Sequence, residues 1–279
     1  MKVLTALRAV EGGRRGSSRP IVVETDAGAC LVKLRGAAQG TGPLVAEIIV
    51  GALAEAIGLL VPARALVELT ADVDVPERDA ELRDLMAASI GLNLGFAYLA
   101  GARDLTPSEI DVVSPDDRAT ILWLDRFVMN PDRTARNTNL LWWDARLWLI
   151  DHGASLGFQY DWSSVSESSV RTQSWEMDPH LFAAGVAVDA MAEWDEVFAA
   201  RITRDVLEGA VAEVPDSFLA PLLDPSARLA GESEALRRRR AAYSAFLWKR
   251  LKAPRGFSDP GIAPPPRPQT GPPSWLTRR

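Results

Sequence analysis

At 279 residues, 47% of them hydrophobic and 24% charged, the chain is long enough for one large or two small domains with a buried core. Its formal net charge of −6 argues against a general nucleic-acid binder, whose footprint is a basic face, so any anionic ligand must be held locally. One cysteine, Cys30 in an apolar run, excludes an internal disulfide and fits a reducing compartment. The N-terminal stretch MKVLTALRAVEGG lacks the apolar core of a secretory signal. The most apolar window, Pro43 to Val61, carries Glu47 and Glu55 and reads as a buried amphipathic helix rather than a membrane span. A cytoplasmic protein without membrane insertion is the expectation.

In chain order, Val3–Val10, Pro20–Thr25 and Ala29–Leu34 are rich enough in Val, Ile, Leu and Thr to read as strands of an antiparallel meander. The first connection, EGGRRGSS, brings Gly12, Gly13 and Gly16 together with Ser17. Glycines let backbone N–H groups approach a phosphate closely, and a tight hairpin would use the same residues, so both readings stand. Lys33 lies near the end of the third strand, where a lysine either faces solvent or meets an anion. A helix follows over Pro43–Ile57, with proline suited to its first turn and Gly58 to its end, and Glu47 one turn in. Glu47 suits the positive helix end, or pairs with Lys33 to hold it against the phosphates of a nucleotide.

Leu60–Leu69 reads as one or two further strands broken at Pro62; if these strands form a small nucleotide-binding lobe, element order places the backbone near Val67 and Leu69 at the hinge that would meet an adenine. Arg78 to Ser89 has a helical pattern, and the glycine-punctuated GLNLGFAYLAG over 91–101 reads as a loop. Ser114, Pro115 and Asp117 mark a helix start, and the apolar face of that helix runs to about Met129. Leu140–Trp143 and Leu147–Ile150 form a short hairpin around an Asp-Ala-Arg turn. A Ser- and aromatic-rich segment after Gly153 is followed by expected helices over Asp178–Val188, Glu193–Glu213 and Ser226–Leu251. The arginine run 237–240 reads as a solvated face paired with Glu232 and Glu234, and the chain from Pro254 onward is proline-rich.

The stretch 124–153 carries the chemistry. Asp132 follows a strong helix, Asn137 lies five residues on, and Asp151 opens an Asp-His-Gly turn after the hairpin. In phosphotransferases of the protein-kinase type, an Asp in a loop accepts the acceptor's proton, an Asn five positions later holds one magnesium ion, and the Asp of a second turn holds the metal that bridges the phosphates. Asp132, Asn137 and Asp151 fill those places, downstream of Lys33 and Glu47 in the matching order. A nucleotide-holding or partner-binding module without transfer is a second reading, to which His152 in place of a phenylalanine adds a little weight. A metal-dependent hydrolase using Asp132, Asp151, His152 and His180 is a third, poor in ligands because the chain holds two histidines.

The sequence resembles the HipA-like kinases, on the residues Asn130 to Arg133, Ala135 to Asn137, Asn139 to Leu141 and Ile150 to Gly153. The resemblance implies an α+β, bilobal protein-kinase-like fold: a small antiparallel β-sheet lobe with one helix over 1–70, a larger, mostly helical lobe over 71–252, and a proline-rich tail over 253–279. It implies ATP with magnesium, and serine or threonine of a protein as acceptor. Carried onto this chain, Asp132 is the catalytic base, Asn137 and Asp151 are metal ligands, and Lys33 contacts phosphate. The catalytic loop also resembles that of phosphoinositide-type lipid kinases, which keeps a lipid or small-molecule acceptor open.

Overall fold

In a computed structural model of the chain, residues 1–12, 20–75, 80–171, 180–186, 188–253, 255 and 257 are described. The N-terminal part is built from β1 (Val3–Gly12), β2 (Ile21–Thr25), β3 (Gly28–Lys33), α1 (Gly42–Ala56), β4 (Arg64–Leu69), α2 (Ala80–Ala87) and β5 (Gly91–Ala97). The strands close into a barrel in the order β1-β2-β3-β5-β4. The expected purely antiparallel sheet is corrected here: β1 closes the barrel by pairing with β4 in parallel, Val3 opposite Leu66 and Thr5 opposite Glu68. The intervening α1 supplies the long connection that a parallel neighbour requires. Alternate residues of β2 and β3 point inward, and a register shift in β1 between Ala6 and Arg8 turns both Ala6 and Ala9 inward, so that Ala6, Ala9, Ile21, Val23, Cys30 and Val32 fill the barrel with Val67 and Leu69 of β4.

β5 is the second correction, since its stretch had read as a loop. It pairs with both β3 and β4, and it carries the barrel as far as Ala97. Its glycines answer local needs. Gly91 takes φ +104°, and a Cβ on Gly95 would lie 2.5 Å from Val67 Cγ2. Asn93, fully buried, donates its side-chain amide to the carbonyls of Ser89 and Gly91 and accepts from the Arg35 N–H. Asn93 and the glycines therefore serve a paired strand at places where backbone geometry and the Val67 side chain leave no room for a larger residue.

Beyond the barrel come β6 (Arg103–Asp104), α3 (Pro115–Val128), β7 (Leu140–Trp143), β8 (Arg146–Leu149), α4 (Glu167–Arg171), α5 (Val188–Arg201), α6 (Arg204–Ala212), α7 (Asp216–Leu219) and α8 (Pro225–Arg250). α3 starts as its sequence indicates, the Ser114 hydroxyl accepting the Asp117 N–H at 3.0 Å, and ends at Met129 in the left-handed region. The β7–β8 hairpin turns through Asp144 and Ala145, both at positive φ, so β8 begins one residue earlier than expected. The expected helix over Glu193–Glu213 is two helices, because Thr203 caps α6 by accepting the Val206 N–H. Where a helix was expected from Asp178, residues 181–185 form a turn and α5 begins at Val188; Asp178 itself lies outside the described residues. Arg237 and Arg238 pair with Glu234 and Arg240 with Asp216, while Glu232 pairs with Arg228.

α3 is the buried axis of the helical part. Trp123 and Phe127 pack with Phe198 and Phe257, and the buried Arg250 guanidinium donates to the carbonyls of Phe127, Arg126 and Val170. α1 joins the two halves. It packs on α6 and α7, the Thr41 hydroxyl donates to the Phe218 carbonyl at 2.7 Å, and Arg201 donates to the Ile57 carbonyl at 3.1 Å. Among the described residues no helix is long and apolar enough to cross a membrane.

Candidate active site

A lysine at the end of a barrel strand is costly to bury without an anion. Lys33 is 6% exposed and has two: its ammonium donates to Glu47 Oε1 at 2.5 Å and to Asp151 Oδ1 at 2.6 Å. Glu47, on the buried face of α1, is completely inaccessible, and Asp151 comes from the turn after β8 with φ +57°. Burial alone would depress the Lys33 ammonium, but the facing carboxylates outweigh it and hold its pKa above the ordinary value. Burial pushes Glu47 up against the pull of Lys33, whereas Asp151, also desolvated, is held below its ordinary value by Lys33. Gly153 makes this approach possible: a Cβ there would lie 3.1 Å from Pro43 Cβ and 3.4 Å from Glu47 Oε1.

The loop after α3 is fastened from beneath. Asp125, fully buried on α3, accepts from Arg133 Nε at 2.5 Å, from the Asn130 amide at 2.8 Å, and bonds His180 Nε2 at 2.9 Å. The Phe182 N–H donates to His180 Nδ1, which assigns the ring proton to Nε2 and makes His180 the donor to Asp125. Burial opposes ionisation of Asp125, but Arg133 and His180 overcome it and hold the carboxyl below the usual range. Arg133, itself inaccessible, also donates through Nη1 to the carbonyls of Thr138 and Asn139. It is therefore locked into the fold, while the exposed Arg136 lines the cleft.

Held on this base, Asp132 receives its own backbone anchor from Asn130 Oδ1 at 3.1 Å. Its Oδ2 accepts two amides, Asn137 Nδ2 at 2.9 Å and Asn139 Nδ2 at 3.2 Å. His152 is 2% exposed, neither ring nitrogen has a hydrogen-bond partner among the described residues, and burial drives its pKa down to about 3. His180 serves Asp125 rather than facing Asp151, and among the described residues no three His, Cys, Asp or Glu side chains come together to hold a metal. Asp151, Asn137 and Asn139 line the same cleft, and a carboxylate with amide oxygens is an all-oxygen donor set that suits a hard cation such as magnesium.

Lys33, Glu47, Asp132, Asn137, Asn139 and Asp151 all line one cleft of about 1320 Å³. Val67 and Leu69 do not line it. Their side chains fill the barrel interior, and the strand overlooked in the sequence puts Phe96 to Leu99, at the end of β5, on the cleft wall instead. Gly12 ends β1, while Gly13, Gly16 and Ser17 lie outside the described residues. Sequence reasoning passed over Asp125, gave Asn139 no role of its own, and named His180 only as a ligand in the hydrolase reading. Asp125 did leave a signal, a carboxylate on the apolar face of α3, of the same kind that singled out Lys33.

A family model described as HipA-like kinase matches residues 8–215. No curated protein matches. Among solved structures, that of the Helicobacter pylori proinflammatory kinase CtkA is similar with a TM-score of 0.52, covering 88% of this chain and 96% of that one at 10% identity, a likeness of fold.

Proposed function

The chain belongs to the HipA-like kinase family, and we propose that it transfers the γ-phosphate of ATP to a hydroxyl acceptor, a serine or threonine of a protein. The observation that carries this reading is the meeting of Lys33, Glu47 and Asp151 at the cleft that Asp132 also lines. The barrel with α1 serves as the nucleotide lobe, with its boundary after Ala97, and the helices form the second lobe. A reducing, cytoplasmic setting accords with the free thiol of Cys30.

In this reading Lys33, kept charged by its two carboxylates, faces the α- and β-phosphates, and Glu47 holds its ammonium in place. Asp151 and an asparagine amide oxygen of the loop before β7 would hold a magnesium ion, which when bound neutralises charge developing on the transferred group. Asp132 is oriented through Oδ2 by the two amides and offers Oδ1 to the acceptor. As the acceptor oxygen bonds to the γ-phosphorus, its proton passes to Asp132, and the bond from that phosphorus to the bridging oxygen of ADP breaks. The rigid seat of Asp132 on Asp125, Asn130 and Arg133 suits a group that must keep its place to within fractions of an ångström.

The test separates binding from transfer. Asp132→Ala retains magnesium-dependent ADP binding and loses transfer, whereas Asp151→Ala loses both. If Asp132→Ala transferred phosphate as the parent does, the assignment of the base would be wrong. Magnesium-dependent binding without transfer to any acceptor in a cell lysate would favour the module that only holds nucleotide.

A further inference from the structure

Counting five residues from Asp132 selects Asn137, but the hairpin points to a different amide. Asn137 closes a tight turn onto Thr134, its N–H and carbonyl each bonded to that residue at 3.1 and 3.0 Å, and it is exposed. The excursion through Ala135 and Arg136 lengthens the loop before β7. Asn139 is the residue that reaches the strand. It is 8% exposed, sits immediately before Leu140, and its carbonyl accepts the N–H of Ile150, the neighbour of Asp151, at 3.1 Å. The β7–β8 ladder, in which Leu140 faces Leu149, is thus continued by one step, and Asn139 stands at the end of one strand as Asp151 follows the other.

Two further features fit a ligand. Asn139 takes φ +49° and Asp151 φ +57°, and the Asn139 carbonyl is also clamped by the inaccessible Arg133, so the backbone is fixed before any ligand arrives. Its Nδ2, like that of Asn137, donates to Asp132 Oδ2, so the amide oxygen is the atom it can offer a cation; what separates the two residues is the buried, strand-end backbone of Asn139. Resting on the proposed kinase reading, we infer that Asn139, and not Asn137, supplies the amide oxygen that joins Asp151 at the metal. One side chain then ties the proton acceptor to the metal, nitrogen to one and oxygen to the other.

Electron paramagnetic resonance of Mn²⁺ in the presence of ADP tests this on the full chain without requiring turnover. Asn139→Gly keeps the positive φ without strain and removes the amide together with its bond to Asp132, so it should weaken Mn²⁺ binding to the ADP complex by about tenfold or more. Asn139→Asp, which returns an oxygen ligand, should recover most of that loss, and Asn137→Ala should stay within about twofold of the parent. The inference is overturned if Asn137→Ala causes the larger loss, or if Asn139→Gly binds Mn²⁺ as the parent does. Asp151→Ala distinguishes the failure of the wider reading: unchanged ADP-dependent Mn²⁺ binding there would remove the metal site itself.

Discussion

Lys33 shows how a single charge organises this chain. Replacing it by methionine leaves Glu47 buried without its counter-ion, and breaking a buried pair in this way costs about 3–5 kcal/mol, less whatever Glu47 recovers by taking up a proton. Urea unfolding of Lys33→Met should show that loss, and the double variant Lys33→Met with Glu47→Leu should regain part of it. Equal stability of the single variant and the parent would contradict the burial account. Lys33 and Glu47 could be singled out from sequence because each is a charge in an apolar stretch. The part proposed for Asn139 could not, because an asparagine before a strand carries no such contrast until the strand register is known.

The histidines give a pH dependence of definite sign. Burial is the larger cause in both, taking His152 down to about 3 and His180 below its ordinary value despite Asp125, so both are neutral in the native state. The unfolded chain takes up protons below about 6.5, where the native state does not, so stability falls as pH drops from there toward the native pKa values. Asp125, a carboxylate with a depressed native pKa, adds loss of the same sign at lower pH. His152→Phe should therefore lose less stability between pH 7 and pH 5 than the parent, measured by denaturant midpoints. An unchanged slope would show that His152 is not the group taking up the proton.

At the scale of elements, α3 and the hairpin were legible because their stop and start signals are local. Ser114→Ala should cost about 1 kcal/mol, read as a fall of about 2 °C in Tm, through loss of the Asp117 N–H bond. β5 was hidden for the opposite reason: its composition answers to partners distant in sequence. Gly95→Val would drive a side chain into Val67, which is inaccessible in the barrel, and should cost about 1–3 kcal/mol by overpacking. If that variant unfolded at the same denaturant concentration as the parent, β5 would not sit against β4 as described. The break between α5 and α6 was missed because Thr203 acts as a cap only once the chain has turned.

For the whole molecule, α1 is held on one side through Glu47 and Lys33 and on the other by Thr41, Arg201 and the packing of α6 and α7. The buried run Leu44–Ala54 should accordingly be protected from hydrogen exchange without nucleotide; exchange at loop-like rates would show that α1 is not fixed there. The measurement that bears most directly on the central claim is transfer of label from γ-labelled ATP, with magnesium and a cell lysate as acceptor mixture, by the parent and by Asp132→Ala side by side. Label in acceptor hydroxyls with the parent alone is the predicted result. Equal labelling by the two proteins would contradict the role given to Asp132, and nucleotide binding without any labelling would contradict phosphotransfer as the function.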